Sequence, residues 1–199
     1  MKVAFILFDQ MTTLDFVGFY DAVTRLKTMG FNENLSWDLC GLKEQVSDDR
    51  GITVIVDRVS PDLSEYDLIF IPGGFGTRQL VNVTEFVEWL KSAKEVDYKV
   101  SVCTGSLLLG AAGFLREKRA TTHPNAYDLL RPYCSEVVEE RIVKDGNVIT
   151  GGGVAVSVDL GLYLCETLAG PEAAKRIQKQ MDYLYYQTGL IGPGRIGQM

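Results

Sequence analysis

Lys99-Val100-Ser101-Val102-Cys103-Thr104-Gly105-Ser106-Leu107 is the stretch that decides how this chain is read. Apolar residues run up to a cysteine, a Thr-Gly-Ser turn follows, and Leu108-Leu109-Gly110-Ala111-Ala112-Gly113 continues as small and apolar residues. The pattern reads as a buried strand, a sharp turn and a helix that begins at once. It places Cys103 above the C-terminal edge of a sheet, close to a helix N-terminus. Unpaired N–H groups and the helix dipole there favour a thiolate, the nucleophilic form of the side chain. Cys103 is therefore the candidate reactive centre; the alternative is a small core residue, a common fate of cysteine.

Outward from this turn, apolar runs alternate with amphipathic stretches. Strands are expected at Lys2–Phe8, Leu35–Gly41, Ile52–Asp57, Leu68–Ile71 and Lys99–Val102. The Ser47-Asp48-Asp49-Arg50-Gly51 turn is expected to join the second and third of these. Leu68–Ile71 is continuously apolar, as in a strand covered on both faces, and stops at Pro72-Gly73-Gly74-Phe75-Gly76. Helices are expected over Leu14–Lys27, Thr84–Lys94, Val156–Leu168 and Pro171–Tyr186, with a short one at Ala126–Leu130. A short strand is expected at Ala120–Thr122. A hairpin turning at Lys144-Asp145-Gly146 joins the Val137–Val143 region to Asn147–Thr150. Alternating strands and helices imply a mostly parallel sheet with helices on both faces, and a site beyond the strand C-termini. Residues 1–187 read as one domain, followed by a Gly-rich tail over 188–199.

The bulk numbers narrow the function. With 46% hydrophobic and 23% charged residues, the 199-residue chain has a globular composition. Its 26 acidic residues exceed its 20 basic ones, a formal charge of −6. That argues against a nucleic-acid backbone or an anionic membrane surface as partner. No apolar run reaches membrane-spanning length, and the N-terminus lacks a signal-peptide pattern. Cys40, Cys103, Cys134 and Cys165 are widely spaced, as in free thiols of a reducing, cytoplasmic compartment. His123 is the single histidine, so no metal site and no metal cofactor are expected.

Several loops could meet around Cys103. Asp15, near the start of the first helix, could lean over the sheet edge, or merely complement the helix dipole. Gly73 and Gly74 let the backbone approach a ligand. With the N–H of Thr104 they could form an oxyanion pocket, or simply a tight turn. The glycines fit neither a GxGxxG nor a Walker pattern, and Ser101 stands where a GxSxG elbow has its first glycine. His123 is a candidate base for a Cys-His pair, or a structural histidine. Gly151-Gly152-Gly153 precedes a helix without basic residues in Val154–Leu164, which favours close backbone packing at Gly152 over phosphate binding.

Together, Ile71-Pro72-Gly73-Gly74, Ser101-Val102-Cys103-Thr104-Gly105-Ser106, Ala120-Thr121-Thr122-His123 and Thr150-Gly151-Gly152-Gly153 resemble the DJ-1/PfpI superfamily. Within it, the chain is most similar to the isonitrile hydratase family, from Lys2 to about Tyr183. The resemblance implies a flavodoxin-like, glutamine amidotransferase-like α/β/α sandwich and a homodimer with the site near its interface. It implies Cys103 as nucleophile, Asp15 as acid/base and Thr104 as site partner, acting on a small-molecule substrate without a cofactor. The implied reaction converts an isonitrile and water to an N-substituted formamide. Two departures stand out: Thr104 replaces the histidine of protease-like members, and Pro124 follows His123 where hydratase-like sequences commonly have tryptophan. Other readings are an amidase, hydrolase or glyoxalase-like enzyme on the same scaffold, or a non-enzymatic thiol stress sensor. Too few residues follow Gln178 for a DNA-binding module of the kind fused to related domains, so a stand-alone protein is expected.

Overall fold

A computed structural model of the protein describes residues 1–189. The strands are β1 (Lys2–Ile6), β2 (Ser36–Gly41), β3 (Gln45–Ser47), β4 (Thr53–Ile55), β5 (Arg58–Val59), β6 (Leu68–Ile71), β7 (Tyr98–Val102), β8 (Arg119–Ala120), β9 (Glu136–Val137), β10 (Ile142–Asp145) and β11 (Val148–Gly151). The helices are α1 (Thr13–Thr28), α2 (Thr77–Leu80), α3 (Thr84–Lys91), α4 (Gly105–Ala111), α5 (Tyr127–Leu130) and α6 (Val156–Gln180). Seven strands form the central sheet in the order β10-β11-β7-β6-β1-β2-β5. All neighbours are parallel except the β10–β11 hairpin. Helices flank this sheet in an α/β sandwich.

The core explains the arrangement. Every residue of β6 is buried, as its unbroken apolar run requires of a central strand. Phe5 of β1 meets Phe16, Phe19 and Tyr20 of α1 edge-on, and Phe19 stacks on Phe70 of β6 with centroids 3.9 Å apart. This aromatic cluster fixes α1 on the sheet and, with it, the height of Asp15 above the strand ends. Ser157 Oγ donates to Leu14 O at 3.0 Å, which ties the start of α6 to the start of α1.

Several expected elements differ. Ile52–Asp57 does not pair with β2: β4 forms a separate antiparallel hairpin with β3, and the 47–51 turn lies inside that hairpin. β3 carries no apolar run, since Val46 is the single apolar residue of its three. Val137 belongs to a small parallel pair, β8–β9, rather than to the β10–β11 hairpin. α6 breaks at Gly170 (φ 84°, ψ 170°) and Pro171, the boundary the sequence indicates, but its second part ends at Gln180 rather than Tyr186. Tyr186 is instead buried, its backbone carbonyl bonded by Gln178 Nε2 at 2.7 Å. Beyond Gly189 the expected Gly-rich tail lies outside the described residues.

Phe19→Ala should remove the stack on Phe70 and leave a cavity under α1. The expected loss is about 3–5 kcal/mol, read from urea unfolding. A loss under about 1 kcal/mol would mean that this cluster does not anchor the helix.

Candidate active site

Four adjacent strands, β11, β7, β6 and β1, deliver their C-terminal loops to one edge of the sheet. Cys103 follows β7 and has φ 53°, in the left-handed region that side chains seldom adopt. Such a conformation costs about 1–3 kcal/mol and needs support from its surroundings. The support is visible. The Cys103 N–H donates to Gly151 O at 3.0 Å and to Gly152 O at 2.6 Å. Its carbonyl accepts from Thr122 Oγ1 at 2.8 Å and Ser106 Oγ at 3.2 Å. Gly152 is itself held by its N–H to Arg141 O, so its backbone buttresses the cysteine from beneath.

Asp15 is completely buried in the first turn of α1. Its Oδ2 accepts the Gly73 N–H at 2.9 Å, and its Oδ1 has no hydrogen-bond partner. A methyl group placed on Gly73 would lie 2.6 Å from Thr104 N, 2.7 Å from Cys103 Cβ and 2.8 Å from Asp15 Oδ2. The cysteine, the acid and the Thr104 backbone thus converge on the space that Gly73 leaves by having no side chain. Thr104 Oγ1 accepts the Gly74 N–H at 3.0 Å and donates to Gly74 O at 3.1 Å, clamping the glycine loop to the turn.

This assembly differs from the expected oxyanion pocket. The Gly73 and Gly74 N–H groups are already spent, on Asp15 and on Thr104. Of the three backbone N–H groups expected there, the Thr104 N–H is the one that bears on the sulfur. His123 stands apart. Its Nδ1 accepts the Asn125 N–H at 3.2 Å, its ring lies against Gly153, and it makes no hydrogen bond to Cys103. The Cys-His arrangement is therefore absent; Pro124 starts the short turn that this histidine caps. Among the described residues, no three His, Cys, Asp or Glu side chains cluster as a metal site requires.

The expectation of a stabilised thiolate is reversed. Burial pushes the Cys103 thiol up to about 12, and the neighbouring Asp15 charge pushes the same way. The Thr104 N–H opposes both and is outweighed, and α4 is only seven residues long. Burial likewise raises the Asp15 carboxyl to about 7, against the lowering effect of the Gly73 N–H and the Cys103 thiol. The two groups share a desolvated space and titrate as a unit. Near neutral pH the pair holds between one and two protons, with a carboxyl poised to take or give one. Cys40 and Cys165 are also buried and raised, but the one buried carboxyl oxygen without a partner among the described residues, Asp15 Oδ1, lies at Cys103. No sequence signal carried this reversal, because it depends on how much of the site water reaches.

A raised carboxyl is a stability statement. The fold disfavours ionised Asp15, so the stability present below the unfolded value near 3.9 is lost as pH rises through about 7. Asp15→Asn should therefore raise the melting temperature at pH 8. The gain is bounded at about 4 kcal/mol and should fade toward pH 4. Calorimetry across that range checks it; a variant less stable at pH 8 than at pH 4, relative to wild type, contradicts it.

With this geometry in view, the comparisons with known proteins are specific. Residues 1–167 match the DJ-1/PfpI family. The chain is 37% identical over 185 residues to the isonitrile hydratase of Pseudomonas putida, covering 92% of this chain and 78% of that protein. It is 28% identical over 132 residues to protein DJ-1 homolog A of Arabidopsis thaliana, covering 64% of this chain but 34% of the plant protein. Among solved structures, a ThiJ/PfpI family protein from Pseudomonas syringae superposes with a TM-score of 0.83 at 27% identity, over 94% of this chain and 78% of that one. On this family match and these similarities, the chain is a member of the DJ-1/PfpI family.

Proposed function

We propose that the protein is an isonitrile hydratase, with Cys103 as nucleophile and Asp15 as the proton carrier. The observation that carries this reading is the proton inventory of the site. A buried carboxyl with one free oxygen adjoins the thiol, while the glycine-loop N–H groups that would stabilise an oxyanion are occupied. Addition to an isonitrile develops no oxyanion in its first step; it needs a proton delivered to carbon. Acyl transfer, as in an amidase, needs the donors that are spent here.

The steps balance on these two residues. Asp15 takes the thiol proton as the sulfur attacks the terminal isonitrile carbon, and the C–S bond forms. Asp15 returns that proton to the same carbon, giving a thioimidate, R–N=CH–S–Cys103. Water then adds. Its hydroxyl bonds to carbon while its proton passes by way of Asp15 to nitrogen. In the collapse the hydroxyl proton goes to sulfur as the C–S bond breaks, releasing R–NH–CHO and the restored thiol. A carboxyl near 7 can serve as both base and acid, which an ordinary carboxyl at 3.8 could not. Thr104 acts by holding Gly74, and through it the loop that orients Asp15. The 37% identity to the Pseudomonas putida isonitrile hydratase supports the same reading. A low-pKa redox sensor fits less well, because Cys103 is 6% exposed and its thiol is raised.

A homodimer belongs to this proposal. Leu14, Val17 and Phe75 are 46%, 39% and 65% exposed and flank residues of the site, an apolar surface that a second copy would cover. We place the enzyme in the cytoplasm, where four unpaired cysteines stay reduced.

Wild type should convert an alkyl isonitrile to its formamide, and Cys103→Ala and Asp15→Asn should each lose at least about a thousandfold in kcat/KM. Retained turnover in Asp15→Asn, with Cys103 still required, would remove the acid/base role. Wild-type kcat/KM should fall as pH drops below about 7, where the pair becomes fully protonated, and stay level above it. A profile flat down to pH 5 would contradict the raised carboxyl. Light scattering should give twice the 22.1 kDa chain mass; a monomer would count against the dimer.

A further inference from the structure

Three side-chain oxygens among the described residues are buried without a hydrogen-bond partner: Asp15 Oδ1, Ser101 Oγ and Thr121 Oγ1. The first belongs to the active site. The other two lie behind it. Ser101 is on β7, two residues before Cys103, and its register partner on β11 is Thr150. Register partners of a parallel pair present their side chains on the same face, and the next pair presents on the other. That next pair is Gly151 and Val102, and it faces α6: a methyl group on Gly151 would lie 3.3 Å from Leu160 Cδ2 and from Val156 Cγ1. Ser101 and Thr150 therefore point away from α6.

The segment after β8 runs over that face. The Thr121 N–H donates to Thr150 Oγ1 at 2.9 Å, which sets Thr121 against Thr150. Thr150 is itself one strand spacing, about 4.8 Å, from Ser101. The Thr122 hydroxyl then donates to the Cys103 carbonyl at 2.8 Å, and the Ser106 hydroxyl of α4 donates to the same carbonyl at 3.2 Å. Ser101, Ser106, Thr121, Thr122 and Thr150 are all completely buried. Five hydroxyls thus gather behind the Cys103 turn. Those of Thr122 and Ser106 are used on the cysteine; those of Ser101 and Thr121 are unpaired, and no direct bond joins them. An unpaired buried hydroxyl forfeits its hydration without return. Two of them, converging on one threonine side chain, make the kind of polar niche that an internal water satisfies with about three hydrogen bonds.

We propose that Ser101, Thr121 and Thr150 form a binding site for one internal water, and that this water braces the turn carrying Cys103. The water bonds to the Ser101 and Thr121 hydroxyls and accepts the proton of the Thr150 hydroxyl, whose oxygen already takes the Thr121 N–H. It thereby ties β7, β11 and the 121–122 segment together, and Thr122 passes that restraint to the Cys103 carbonyl. A cysteine held at φ 53° needs such restraint. Ser101 and Thr121 are positioning residues in this arrangement, acting through the water and Thr122. The brace is independent of the reaction that Cys103 performs.

A crystal structure that resolves ordered water tests the site. One water is expected within about 2.6–3.2 Å of both Ser101 Oγ and Thr121 Oγ1. No water there, or direct contact between the two hydroxyls, overturns the proposal. Stability gives a second reading. Ser101→Ala and Thr121→Val should each lower the folded-to-unfolded ratio about fivefold. The double variant should lose no more than the larger single loss, because both substitutions release the same water. Losses that multiply, or a gain in either single variant, mean that no water joins the hydroxyls. The brace is read at Cys103, by iodoacetamide alkylation followed with peptide mass spectrometry. Each single variant should alkylate about threefold faster than wild type, and Thr121→Ser, which keeps the hydroxyl, should match wild type. Cys165, buried in α6, should keep its rate. Unchanged alkylation at Cys103, or an equal rise at Cys165, overturns the bracing role.

Discussion

A thiol and a carboxyl share the space vacated by the missing side chain of Gly73. Everything else near the sheet edge serves that constraint. Desolvation alone would keep both groups protonated and inert. Placing them together converts the penalty into a function, because a proton leaving either has the other as its destination. The Gly73 N–H holds one carboxyl oxygen and leaves the second free, which sets the direction in which protons can travel.

Such a pair is costly to build, and the fold meets the cost with fixed backbone. Cys103 sits in a left-handed conformation restrained by two carbonyls from the loop after β11 and by the hydroxyls of Thr122 and Ser106. Asp15 is brought down by an aromatic cluster on α1 that has no polar role of its own. The glycine loop is clamped by Thr104, and the start of α1 by Asp48. These supports include residues that follow β1, β7 and β11 of the parallel sheet, so the site exists only when that sheet is assembled.

Much of this was legible in the sequence. Leu68–Ile71 and Lys99–Val102 announce buried parallel strands by continuous apolarity, and Cys103-Thr104-Gly105 announces the turn between strand and helix. Asp15, Gly73, Gly74, Thr104 and Gly152 were all singled out, and the structure brings them to one place. Their individual tasks were not legible. Whether the Gly73 N–H faces a ligand or a neighbouring carboxylate depends on an orientation set by loops far apart in sequence. The sign of the Cys103 shift depends on burial, whereas the local pattern showed only a helix N-terminus. The β3–β4 hairpin escaped because its strands are three residues long and half exposed, so neither a run nor an alternation registers.

The central claim is that Asp15 still exchanges its proton near neutral pH because it is desolvated beside Cys103. Carbon-13 NMR of the aspartate carboxyls, with Asp15 assigned by its absence in Asp15→Asn, reads that protonation directly as a function of pH. The account requires the Asp15 carboxyl signal to titrate with a midpoint near 7, about three pH units above an ordinary aspartate. A midpoint near 4 would mean that water reaches this carboxyl, and the proton exchange with Cys103 would lose its physical basis.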